Sequence, residues 1–363
     1  MADRRRGPID DPIDPGARRA ALEERAPRPS GRAIGLDSGG RSDRDGYRPE
    51  AASGPTEPID RRTSPMPRPR RLAAVAILLP LCCVATRPAP GQEGMPGSMA
   101  RSLTFAATFD RGLVADLAGG DPALYSSPSS KREDPVAGIA GPGVELLAEG
   151  GRSGGALRFS RENSRAHYFR VPGNLPFEAP GGDGWSGSIS YFLSLDPETD
   201  LPPMSFADPI QVTDSAWNDA AIWNDFTREN PRIFRLGMLP DLEVWNPEMK
   251  DFETMPAAEK PVVAVEEPPF ASGKWTHVVI TFDRVNSGRP DGEARLFLDG
   301  QPAGTVSNRD LRYSWDPENA VIFLGLGYAG LMDDLMIFDR ALSREEVGRL
   351  TDLARDGKPL LAR

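Results

Sequence analysis

Three short segments near the C-terminal end constrain the fold more than any other part of the chain. They are Gly273-Lys-Trp-Thr-His-Val-Val-Ile-Thr-Phe-Asp283, Glu293-Ala-Arg-Leu-Phe-Leu-Asp-Gly300 and Ala320-Val-Ile-Phe-Leu-Gly-Leu-Gly327. Each is rich in β-branched or aromatic residues and is bounded by Gly, Asp or Asn, which is the pattern of half-buried antiparallel strands joined by turns. A fourth strand follows in Gly330-Leu-Met-Asp-Asp-Leu-Met-Ile-Phe-Asp-Arg-Ala-Leu-Ser343, and Arg344-Glu-Glu-Val opens a helix. Ser343 and Glu346 are spaced as a capping box, and Val347, Leu350 and Leu353 share one helical face. So short a helix needs a sheet to dock on.

Strand signals also run through the preceding part. They are Leu103–Asp110, Val144–Ala148, Gly155–Phe159, Ala166–Val171 and the longer Trp185–Leu195. Leu157 and Phe159 alternate with Arg158, as in a strand with one wet face. The motifs GKWTHVVITFD, RLFLDGQPAG and GLMDDLMIFDRALSREEV resemble the C-terminal half of a laminin-G-like, concanavalin A-like lectin/glucanase domain. With the earlier strands, the resemblance covers roughly residues 103–355. It implies an all-β fold, an antiparallel two-sheet jelly-roll sandwich with one short C-terminal helix.

Residues 1–65 hold no Val, Phe or Trp and a single aromatic, Tyr47. They have little apolar area to offset the entropy of ordering, so they are expected to be disordered. Met66–Arg71 is basic, Leu72–Ala85 is apolar, and the run to Gly91 is rich in small residues, the order of a secretory signal peptide. The apolar run is too short for a membrane span and contains Pro80. This places a signal peptide at 66–91, makes residues 1–65 an over-extended start ahead of Met66, and predicts a secreted, periplasmic or cell-envelope protein. A flexible lead at 92–102 and a tail at 356–363 would flank the domain. Both cysteines, Cys82 and Cys83, fall in the apolar run, so the mature chain would hold itself together by its core alone.

Charge narrows the partners. Residues 1–91 carry 17 Lys/Arg against 12 Asp/Glu, whereas 92–363 carry 26 against 41. A net charge of -15 on the folded part argues against nucleic acid and anionic membrane surfaces, which select Lys/Arg clusters.

Catalytic patterns are sparse. Glucanases of this fold carry acids alternating on one strand, as the two-carboxylate mechanism needs. Asp241-Leu-Glu243 is the nearest match and lacks the third acid. His167 and His277 are the only histidines, and both sit in strand patterns, where a lone histidine is usually structural. The long middle segment at 196–272 is more informative. Trp217-Asn218-Asp219 and Trp223-Asn224-Asp225 repeat one pattern, echoed by Trp245-Asn246. Indole faces stack on sugar C–H faces and Asn/Asp bond hydroxyls, so Trp217, Asn218, Asp219, Trp223 and Trp245 are candidate carbohydrate-binding residues. The competing reading is that these tryptophans fill the core or anchor loops. Asp333 and Asp334 interrupt an apolar strand, where a buried charge must be paired or metal-bound. Strand alternation sends their side chains to opposite faces. Calcium often lies near such acids in the resembled family, so a structural Ca2+ held by Asp110, Asp333 and Asp334 is one expectation, and an Asp–Arg pair is the other.

These readings lead to an exported, non-catalytic recognition module for a glycan. The alternative is a structural or adhesion protein that binds an extracellular or envelope protein through 196–272. A glycan-active hydrolase or lyase ranks below both.

Overall fold

The computed structural model describes residues 95–361. The segments read as a disordered start and a signal peptide lie outside the described residues. In chain order the elements begin with α1 (Gly97–Arg101), β1 (Leu103–Ala107), β2 (Leu117–Ala118), β3 (Tyr125–Ser127), β4 (Val136–Ala137), β5 (Val144–Leu147) and β6 (Ala156–Phe159). They continue with β7 (Ala166–Arg170), β8 (Trp185–Ser194), β9 (Ala207–Thr213), β10 (Ala221–Phe226), β11 (Phe234–Leu239), α2 (Leu242–Trp245) and β12 (Val262–Val265). The last are β13 (Thr276–Val285), β14 (Gly292–Leu298), β15 (Gln301–Arg309), β16 (Val321–Leu326), β17 (Gly330–Phe338) and α3 (Arg344–Arg355).

The strands form two antiparallel sheets. One runs β15-β14-β13-β8-β17-β1-β2, with β6 beside β17 and β5 beside β6; the other runs β12-β11-β10-β9-β16-β7-β3-β4. Alternate residues of both sheets meet in one core, in which Phe105, Ile189, Ile222, Leu236, Ile280 and Ile322 are fully buried. This is the expected jelly-roll sandwich. At one edge β12 lies against β15, where a Cβ on Gly304 would come within 2.3 Å of Val263, so only a residue without a side chain lets the two strands approach. The β14–β15 turn places Asp299 and Gly300 at φ 49° and 79°, the left-handed pair that a two-residue Asp-Gly hairpin turn requires.

The capping box is present: the Ser343 side chain accepts from the Glu346 N–H, and the Glu346 side chain accepts from the Ser343 N–H. Helix α3 then lays Val347, Leu350 and Ala354 on the outer face of the nine-stranded sheet, over Phe192, Val279, Met336 and Phe338. Two features differ from the sequence-based expectation. The lead before β1 is not simply flexible, because α1 buries Met99 in this same outer cluster. And α3 is one of three helices among the described residues, the other two being single turns. Among the described residues no helix is long and apolar enough to cross a membrane.

The middle segment supplies β9, β10, β11 and β12 to the eight-stranded sheet, and its stretch 240–261 folds over that sheet's outer face. Phe252 from this cap packs against Trp217, Trp223 and Trp245 in a satellite cluster that also holds Ala221, Leu239 and Val262. Farther along the same face, Tyr168, Val321 and Phe323 form another buried cluster. Arg132 reaches it from the β3–β4 connection, standing 5.6 Å from the Phe323 ring centre and donating to the Asp214 carbonyl at 2.7 Å.

Candidate functional site

All five candidate glycan-binding residues come together at the cap, in unequal positions. Trp223 projects from β10 and is 2% exposed. Its indole lies flat over β11 because Gly237 leaves the space; a Cβ there would fall 2.2 Å from the ring. Its Nε1–H donates to the Trp217 carbonyl at 2.9 Å, and Trp245 Nε1–H donates to the Asn218 carbonyl at 3.0 Å. The Asp219 carboxylate accepts from the Leu242 N–H at 2.8 Å and so holds the start of α2. The loop-anchoring reading therefore describes Trp223 and Asp219. Trp217 and Trp245 stay partly exposed, with ring centres 5.2 and 6.0 Å from that of Phe252 in edge-on contact.

Two residues that sequence reasoning passed over organise the same place. Arg235 stands directly opposite Asp225 across the β10–β11 pair and bonds it twice, Nε to Oδ1 at 2.8 Å and NH2 to Oδ2 at 2.5 Å. Its guanidinium also lies 5.5 Å from the Trp223 ring centre and 5.8 Å from that of Phe252. An arginine inside the apolar run Ile233-Phe-Arg-Leu is the same kind of signal as Asp333 in its strand, and was available to reading. Phe252 carried no such signal, since a lone aromatic in a polar loop looks like many others.

The nearest approach to paired catalytic acids resolves differently. Asp241 and Glu243 sit at the start of α2 rather than on a strand, and Arg312 bonds both, with Asp241 also accepting from Ser314 N and Oγ at 2.8 and 2.7 Å. They lack the alternation that aims two carboxylates into one groove.

The acids of the last strand meet Arg152. Asp334 has φ 49°, and the β17–β8 register shifts between Asp333 and Met336. That bulge breaks the alternation expected from sequence, so both side chains reach Arg152. Asp333 Oδ2 accepts from the Arg152 N–H at 2.7 Å, and Asp334 Oδ2 accepts from Arg152 Nε and NH2 at 2.8 and 2.6 Å. Arg152 further caps α3 by donating to the Ala354 carbonyl at 2.8 Å, and it lies 5.0 Å from the Phe192 ring centre. Burial pushes both carboxyls up; the charge on Asp334 adds to the effect at Asp333, and Arg152 opposes it at Asp334.

Asp110, Asp116 and Asp334 line a cavity of ≈ 200 Å³ with Arg111. The residues of the expected calcium set do not fit the ion. Asp334 already faces a guanidinium, Asp333 is bonded by two amides, and Asp110 Oδ1 accepts from the Gly155 N–H at 2.9 Å. Among the described residues no group of three or more His, Cys, Asp or Glu is placed to hold a metal.

Both histidines are buried. His277 stacks on Phe192 with ring centres 4.3 Å apart and links Ser190 Oγ at 2.8 Å to Thr351 Oγ1 at 2.7 Å. Thr351 Oγ1 donates to the Val347 carbonyl, so it accepts from His277 Nδ1–H, and Nε2 accepts from Ser190. Burial lowers His277 to about 3 and His167 to about 4, leaving both neutral.

The two antiparallel sheets make a jelly-roll sandwich with an aromatic cap on one of them. Residues 246–348 match the family model described as the concanavalin A-like lectin/glucanases superfamily. Among curated proteins none matches the chain. Among solved structures, the chain is similar to domain 4 of AbnA, an extracellular arabinanase from Geobacillus stearothermophilus, in complex with arabinotriose. Identity is 15%, coverage is 69% of this chain and 98% of that one, and the TM-score is 0.43. It is also similar to the receptor-binding domain of botulinum neurotoxin D, at 13% identity, 70% and 53% coverage and a TM-score of 0.45. A third is the binding domain of Paraclostridial Mosquitocidal Protein 1, at 15% identity, 70% and 52% coverage and a TM-score of 0.42. The chain thus spans about half the length of these two toxin binding domains.

Proposed function

We propose that this protein is an exported, non-catalytic carbohydrate-recognition module that binds its glycan at the Trp217–Trp245 cap. The observation that carries the reading is the pair of partly exposed tryptophans braced around Phe252 beside Asn218 and Asp219. The N–H of Trp245 is bonded internally, so what its ring brings to the surface is carbon, suited to a sugar's C–H face. The family match at 246–348 supports the same reading. An adhesion surface in 196–272 has less to offer, since the large apolar side chains exposed there, among the described residues, are the isolated Met204 and Met249.

The test is calorimetric titration with oligosaccharides chosen from a glycan array, using Trp217→Ala, Trp245→Ala and the double variant. Each single change should weaken binding by about tenfold while the melting temperature stays near that of the parent. Undiminished binding by a folded double variant would remove the cap from the site.

A further inference from the structure

The charges around the cap narrow the ligand class. Resting on the glycan reading above, we propose that the Trp217–Trp245 face accepts an uncharged glycan and turns away anionic chains bearing uronate or sialate groups. Residues 240–262 contain six acids and two lysines. Lys250 Nζ sits 2.9 Å from Glu259 and 3.3 Å from Glu248, and Lys260 Nζ lies over the Phe252 ring, 4.6 Å from its centre. Of the neighbouring arginines, Arg312 is held by Asp241 and Glu243 and Arg235 by Asp225, while Arg309 donates to the Ala258 carbonyl at 2.9 Å.

Residues 240–262 contain no arginine to receive a sugar carboxylate in the bidentate fashion such groups favour. Asp251 and Glu253 are exposed on either side of Phe252, the residue on which Trp217 and Trp245 converge. A sugar stacked on those rings would lie within a Debye length of both carboxylates, close enough for repulsion to act at low salt. The hydroxyls of a neutral chain suffer no such repulsion and can donate to the same oxygens.

The experiment titrates the full chain with neutral xylo- and arabino-oligosaccharides and with oligogalacturonate of matched length. At about 20 mM salt the anionic series should bind at least about tenfold more weakly than the better neutral one. The gap should narrow at about 300 mM salt, and also in the Asp251→Asn/Glu253→Gln variant. Oligogalacturonate binding as tightly as the neutral chains at low salt would overturn the inference and leave the glycan reading standing. Failure of every saccharide to bind the folded protein would overturn both.

Discussion

Replacing Arg152 by alanine should be among the most destabilising single changes in the chain. The side chains of Arg152 and Asp334 are 5% and 4% exposed, and the guanidinium serves Asp334, the Ala354 carbonyl, the Lys358 carbonyl and the Phe192 ring together. Removing one partner of a buried ion pair costs about 3–5 kcal/mol, because the other charge is stranded out of water. The lost helix cap adds about 1 kcal/mol, and the terms are not strictly additive, so a loss of about 4 kcal/mol is expected. Urea unfolding followed by tryptophan fluorescence at neutral pH measures it. Pairing Arg152→Met with Asp334→Asn should restore about half of that loss, since no stranded charge then remains at position 334. The pH dependence supplies a second check. Without the cation, Asp333 and Asp334 have folded-state pKa values still further above their unfolded ones, so the folded state binds more protons. Stability of Arg152→Ala relative to the parent should then rise as pH falls toward the parent values of about 8 for Asp333 and about 6 for Asp334, and level off below about pH 6. A loss below about 1 kcal/mol with no such pH dependence would refute the reasoning.

Three further outcomes follow from the same geometry. His277 and His167 are held neutral, with folded pKa values depressed to about 3 and about 4. Their contribution is complete above their unfolded pKa and is lost as pH falls below about 6.5, at up to about 1.4 kcal/mol per pH unit for each; urea melts of His277→Leu should show a shallower acid slope than the parent. Gly237→Ala should cost about 1–3 kcal/mol by forcing a methyl into the Trp223 ring, and the cost should vanish in a Trp223→Val background, as thermal melts of the four proteins would reveal. EDTA should leave the melting temperature unchanged if the Arg152 contacts to Asp333 and Asp334 suffice to hold the pair; a clear drop would restore the metal.

The strands and the final helix were readable because their signals are local. Alternation at Leu157, Arg158 and Phe159, the Asp299-Gly300 turn and the Ser343/Glu346 capping box each act within a few residues, and each appears as expected. The direction of Asp334 was not readable. Alternation assumes a regular strand, and a bulge with a left-handed residue cancels it, with nothing in the run Leu331-Met-Asp-Asp-Leu to announce the bulge. Arg152 was missed because it sits in a glycine-rich connection, far in sequence from the acids it serves. Tryptophans in polar company were recognisable as a cluster, and all five candidates do gather. Their division into a buried anchor, Trp223, and two half-buried neighbours depends on Gly237 and Phe252, which lie on other segments.

The place of β17 in its sheet bears on how the molecule comes into being. It lies between β1 and β8 and also pairs with β6, so among the described residues the last strand joins the first strand to the middle of the sheet. A ribosome that has released everything up to residue 329 has made the flanks of this sheet without its junction. Until β17 emerges, β1 has no partner but the two-residue β2, and β8 can pair only on its β13 side. Folding of the sandwich must therefore await β17, and so many distant pairings should make it slow. Chains truncated before Gly330 would leave β1, β6 and β8 each with an unpaired edge and should be cleared or aggregate rather than persist as a smaller domain.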